Sequence, residues 1–100
     1  MFEYKVSVSD GDVLVELKGR LDSGAAPNLH KDLAALAGEG VKEVIFDAEG
    51  LEYIASAGLR VIIFSKHRFG NETEIIVKGA SEAVKEVLEI TGTTHFVSVL

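Results

Sequence analysis

Residues 47–63 read Asp-Ala-Glu-Gly-Leu-Glu-Tyr-Ile-Ala-Ser-Ala-Gly-Leu-Arg-Val-Ile-Ile, and this stretch decides how the rest of the chain is arranged. It follows Val44-Ile45-Phe46, a short apolar run with β-branched content, which reads as a buried central strand. Leu51, Tyr53 and Ile54 continue the apolar pattern past Gly50, and a short loop then crosses to a helix starting near Ser56. That helix is apolar on most sides through Phe64, as a largely buried helix is. It turns basic at Lys66, His67 and Arg68 and stops at Gly70. A buried strand followed directly by a buried helix is the unit from which parallel sheets are built.

The flanking sequence extends the same plan. Tyr4, Val6 and Val8 alternate with polar residues, as do Val13, Val15 and Leu17, and Asp10-Gly11-Asp12 separates the two runs. This predicts an antiparallel hairpin over residues 2–8 and 13–20. Asp22-Ser23-Gly24 breaks the second strand; Ser23 is a candidate helix cap and Pro27 suits the first turn. Leu29, Leu33 and Leu36 follow at helical spacing, and Gly38 and Gly40 close that helix. After the central helix, Glu74 to Val77 reads as a strand closed by Gly79. Ser81 opens a third helix with the stripe Val84, Val87, Leu88 and Thr91, stopped by Gly92, and Phe96, Val97 and Val99 suggest a last short strand. The order ββαβαβαβ predicts an α/β fold with a mostly parallel sheet and an antiparallel edge supplied by the hairpin.

The chain has 100 residues, the size of one domain, so residues 1–100 are expected to fold as a single unit. A formal net charge of -6 leaves no basic footprint for nucleic acid and no attraction to anionic membranes. There is no cysteine, hence no disulfide framework and no thiol nucleophile. The start Met-Phe-Glu-Tyr-Lys-Val lacks the basic and apolar regions of a signal peptide, so a cytoplasmic location is expected.

Catalytic constellations do not assemble. His30, His67 and His95 fall in three different elements without metal-ligand spacing. Ile54-Ala55-Ser56-Ala57-Gly58 lacks the first glycine of the hydrolase elbow Gly-x-Ser-x-Gly. No phosphate-binding glycine loop is present, and the carboxylates Asp47 and Glu49 stand near a strand end, where such groups are usually solvated. No enzyme, no metal and no resident cofactor are expected. What remains is one hydroxyl, Ser56, at a helix start. As a plain N-cap it would contribute ~1 kcal/mol. As a phosphorylation site it would gain a charge of about -1.5 to -2, which free amides and the helix dipole tolerate at that end. A partner docked over it would not tolerate that charge. Ala57 and Gly58, being small, are expected to let such a partner approach closely.

Three blocks in order resemble the STAS domain, the family of bacterial anti-sigma factor antagonists. They are Gly19-Arg20-Leu21-Asp22 with Ala26-Pro27; Val44-Ile45-Phe46-Asp47 with Leu51-Glu52-Tyr53-Ile54-Ala55-Ser56-Ala57-Gly58-Leu59; and Leu88-Glu89-Ile90-Thr91-Gly92 with Phe96. The resemblance implies a four- or five-stranded sheet with helices mainly on one face. It implies a partner that is both an anti-sigma factor and a serine kinase, phosphorylation at the position of Ser56, and a phosphatase that reverses it. Asp22 matches an acidic position that the resemblance implicates in partner or nucleotide contacts. The expected docking surface is Asp22, Ser23, Tyr53, Ala55, Ser56, Ala57, Gly58 and Arg60, on a monomer or weak dimer. The segment departs from the family at Ala55 and Ala57, where Asp or Ser, and a second Ser, are frequent. Ser56 is thereby the one hydroxyl of the loop apart from Tyr53. An alternative reading is a ligand- or lipid-related sensing or scaffold module acting in trans, since STAS-like domains also occur in transporters and lipid-trafficking complexes.

Overall fold

The computed structural model describes residues 2–36, 40–70 and 72–100. Strands β1 (Phe2–Ser9) and β2 (Asp12–Leu21) form the expected hairpin, each slightly longer than the alternation alone suggests. Its two-residue turn, Asp10-Gly11, has φ of +47° and +87°, the left-handed geometry that matches the twist of the strands. Then follow α1 (Ala26–Ala34), β3 (Glu43–Ile54), α2 (Ser56–Phe69), β4 (Glu74–Lys78), α3 (Glu82–Ile90), a 3-10 turn (Thr93–His95) and β5 (Ser98–Val99).

The five strands lie in the order β1-β2-β3-β4-β5, antiparallel at the hairpin and parallel elsewhere. Every helical crossover therefore steps the same way across the sheet, and right-handed connection places all three helices on one face. Burial follows that rule. Val13, Val15 and Leu17 of β2, Val44, Phe46 and Ala48 of β3 and Ile75 and Val77 of β4 are buried against Leu29, Leu33, Leu59, Ile62, Val84 and Leu88. Their neighbours along β2 and β3 – Leu14, Glu16, Ile45 and Asp47 – are only half-buried on the other, bare face.

Three expectations about elements change. The central strand is not confined to the run Val44-Ile45-Phe46; it takes in Leu51, Tyr53 and Ile54 as well and runs twelve residues, Glu43–Ile54. Pairing survives because β3 inserts an extra residue twice, between the pairs Glu16–Asp47 and Lys18–Gly50 and between Gly19–Leu51 and Arg20–Tyr53. Gly50 suits this close approach, since a Cβ would lie 2.8 Å from Lys18 Cγ and 3.2 Å from the Leu17 carbonyl and would push the Lys18 side chain aside. Helix α1 ends at Ala34, before the glycines expected to stop it; Gly38 lies outside the described residues. The Arg68 side chain of α2 donates to the carbonyls of Ala34 and Leu36, satisfying groups that the end of α1 leaves without helical partners. The last strand is only Ser98–Val99, with Phe96 before it and exposed.

Candidate functional site

Ser56 lies where β3 gives way to α2, at the carboxyl ends of the parallel strands, the end at which open α/β sheets place their sites. Two loops meet there. The Ala55 N–H donates to the Leu21 carbonyl at 2.9 Å, so the chain just before Ser56 is tied to the residue just before Asp22. Gly58 holds the helix against that junction. It is buried, and a Cβ on it would lie 2.7 Å from Leu21 Cγ and 2.9 Å from Ile54 Cγ1. Its small size serves this internal contact. The expectation from the sequence gave that small size to a docked partner; the structure shows Gly58 buried and its missing Cβ occupied by Leu21 and Ile54.

Ser56 is not the helix cap either. The capping position is Ala55, with extended backbone (φ -92°, ψ 171°), and Ser56 is the first helical residue. Its hydroxyl is exposed and, among the described residues, makes no hydrogen bond. The first intrahelical bond runs from the Leu59 N–H to the Ala55 carbonyl at 3.1 Å. The N–H groups of Ser56, Ala57 and Gly58 thus precede the helical ladder, and no acidic residue stands in the first turn to offset their positive end.

Asp22 is exposed, yet its carboxylate is engaged. Oδ1 accepts from the N–H groups of Gly24 (3.1 Å) and Ala25 (2.9 Å), while the Asp22 carbonyl accepts from Ala25 and Ala26. Asp22 thus closes the turn, and the capping position of α1 is Ala25, without a side-chain bond, rather than Ser23 as the sequence suggested. Ser23 instead lines a shallow groove of about 190 Å³ between α1 and α2, together with Ala26, Pro27, His30, Ala57, Arg60 and Val61. His30 tilts onto Phe64 across the two helices at 4.1 Å between ring centroids. Arg60 is exposed at one side of this groove, one turn beyond Ser56.

One residue of this end is absent from the docking surface expected from the sequence. The Arg20 guanidinium sits 4.2 Å from the centroid of the Tyr53 ring, in a cation–π contact at the ends of β2 and β3. Tyr53 is 40 % exposed. The pair forms because the second insertion in β3 sets Tyr53 opposite Arg20. Its only trace in the sequence is the block Gly19-Arg20-Leu21-Asp22. No group of three or more metal-ligating side chains occurs among the described residues, and among them no helix is long and apolar enough to cross a membrane.

This geometry has relatives. Residues 3–99 match the STAS domain family. BtrV of Bordetella bronchiseptica, named as a candidate anti-sigma factor antagonist, is 36% identical over 84 residues, covering 83% of this chain and 72% of that protein. An anti-sigma factor antagonist from Mycobacterium paratuberculosis superposes with a TM-score of 0.85 at 22% identity, over 99% of this chain and 85% of the other. The phosphorylated form of SpoIIAA, a Bacillus cell fate determinant, superposes with a TM-score of 0.73 at 17% identity, over 98% and 91%. The match along nearly the whole sequence, on a five-stranded sheet with its helices to one side, makes this chain a member of the STAS domain family.

Proposed function

We propose that this chain is an anti-sigma factor antagonist, turned off by phosphorylation of Ser56 by a serine kinase that is its anti-sigma factor partner. The observation that carries this reading is the state of Ser56: exposed, without an internal hydrogen bond, and the first residue of an uncapped helix. In the transfer, Oγ bonds to the γ-phosphorus of ATP as the bond to the β-bridging oxygen breaks. The hydroxyl proton passes to a base on the kinase. The phosphate would carry about -1.5 to -2 charges, next to amides that precede the helical ladder. The fold would keep its stability while the surface changes sign locally.

Docking is disrupted by desolvation. A partner covering Ser56 in the unmodified state would have to bury the new charge, at a cost of roughly 3–5 kcal/mol unless a cation meets it. That weakens affinity by about a hundred- to several-thousand-fold. The groove beside Ser56 favours a protein over a small ligand, because its 190 Å³ is less than the roughly 300 Å³ at which small-molecule pockets begin. Arg20 and Tyr53 are of the residue types enriched at the centres of protein interfaces. A fold neighbour known in a phosphorylated form, SpoIIAA, supports the same reading, as does the name of the Bordetella relative. The modified residue would be restored by a phosphatase.

Incubation with the anti-sigma factor kinase of the source organism and ATP, followed by mass spectrometry, tests the proposal. One phosphate on the wild type and none on Ser56→Ala is the expected result. Phosphate on both, or on neither, overturns it.

A further inference from the structure

The long free edge of the sheet lies away from Ser56. Among the described residues, strand β1 pairs with β2 on one side only, over eight residues, without a proline or a register shift. The opposite edge, β5, is two residues long. Proteins normally blunt a long edge, because its unpaired N–H and C=O groups invite another strand. The two-residue turn settles which groups of β1 are unpaired. Such a turn makes Ser9 and Asp12 a hydrogen-bonded pair. Alternation then directs the backbone groups of Glu3, Lys5 and Ser7 into β2, and those of Phe2, Tyr4, Val6 and Val8 out to the free edge.

The side chains of this strand are sorted by face. Phe2, Tyr4 and Val6 pack against the core on the helix-covered side, while Glu3 and Lys5 are exposed on the bare side. The apolar stripe is already ordered. The Phe2 and Tyr4 rings stack at 5.6 Å, and the Tyr4 hydroxyl donates to Asp32 Oδ2 of α1 at 2.5 Å.

We infer that the free edge of β1 pairs antiparallel with β1 of a second copy of this chain, with Tyr4 opposite Tyr4. Three registers set the outward backbone groups opposite one another near the middle of the strand. Centred on Lys5, the pairing sets two lysines face to face, which is repulsive. Centred on Val6, it sets Lys5 opposite Ser7 and gives neither Glu3 nor Lys5 an opposite charge in the other copy, leaving them only their own-chain neighbours Lys18 and Glu16. Centred on Tyr4, it sets Glu3 of each copy opposite Lys5 of the other, and Phe2 opposite Val6 on the covered face. This register alone gives opposite-charge pairs on one face and apolar pairs on the other. The two-fold operation runs the copies in opposite directions, so the two Ser56 loops stand at opposite ends of a ten-stranded sheet and neither is covered.

Sedimentation equilibrium from micromolar to millimolar chain tests the pairing, with Glu3→Lys, Lys5→Glu, the double variant and Ser56→Asp alongside wild type. The expected result is a reversible wild-type dimer. Each single exchange turns two attractive pairs into two repulsive ones and weakens it about ten-fold or more. The double exchange restores it, and Ser56→Asp leaves it unchanged. Concentration-dependent protection of the Tyr4 and Val6 amides from hydrogen exchange, read on the wild type, is expected as well. A wild-type monomer throughout, single variants that associate like wild type, a double variant as weak as the singles, or outward amides that gain no protection would each overturn the inference. None of these outcomes bears on whether Ser56 accepts a phosphate.

Discussion

Gly58 and Ser56 stand two positions apart on α2 and face opposite surroundings. The first has its missing Cβ replaced by Leu21 and Ile54; the second meets solvent. Gly58→Ala raises helix propensity, yet the added methyl would lie 2.7 Å from Leu21 Cγ. Overpacking should prevail, with a net loss of about 1–3 kcal/mol in a urea melt. Ser56→Asp should fold as wild type by circular dichroism and lose partner affinity by at least ten-fold in calorimetry; wild-type affinity would argue against the charge mechanism. Ala55→Asp should act in the other direction on stability. It supplies the side-chain cap that α2 lacks and should add ~1 kcal/mol to the urea-derived stability. Ser56 was legible in the sequence because a lone hydroxyl at an apolar helix start is a local signal. The role of Gly58 was not, because Leu21 and Ile54 reach it only after two strands have paired.

At the scale of elements, β3 departs most from a local reading. The apolar run Val44-Ile45-Phe46 marked a short strand, whereas two insertions carry the pairing with β2 through to Leu21–Ile54. Nothing in residues 47–54 alone reveals this, since a bulge is defined by what the neighbouring strand offers. The Arg20–Tyr53 contact follows from the same two insertions. A second link between elements joins β1 to α1 through the Tyr4–Asp32 hydrogen bond. The bond to Asp32, with some burial and the negative charge of that carboxylate, holds the Tyr4 hydroxyl above the ordinary tyrosine range. The neutral phenol is thus favoured in the folded chain. The stabilisation is fully present below the unfolded-state value near 10 and is lost as pH rises through the higher folded value. Tyr4→Phe should therefore cost about 0.5–1 kcal/mol at pH 7, small because the pair is exposed, and the difference from wild type should shrink in melts above pH 10.

For the whole molecule, stability rests on one layer of side chains between the sheet and its helices. Phe46 is at its centre, fully buried on β3 between Val15 of β2 and Val77 of β4. Phe46→Ala should cost about 3–5 kcal/mol, a large part of the roughly 5–15 kcal/mol that holds a domain together. A chemical-denaturation midpoint near wild type would show that the core is organised elsewhere. The sequence by itself determined the order of the elements, the hairpin turn at Asp10-Gly11, the mostly parallel sheet and the position of Ser56. All of these are written in residues close together in the chain: a period of two, a period of 3.6, and glycine or proline between them. The tertiary structure alone decided how far β3 runs, that Ala55 and not Ser56 occupies the cap, that Asp22 closes its own turn, and that Arg20 covers Tyr53. Each of these depends on the register between strands or on the approach of α2 to β2 and β3. Register is set by the summed fit of many side chains across the sheet, which no short stretch of sequence contains.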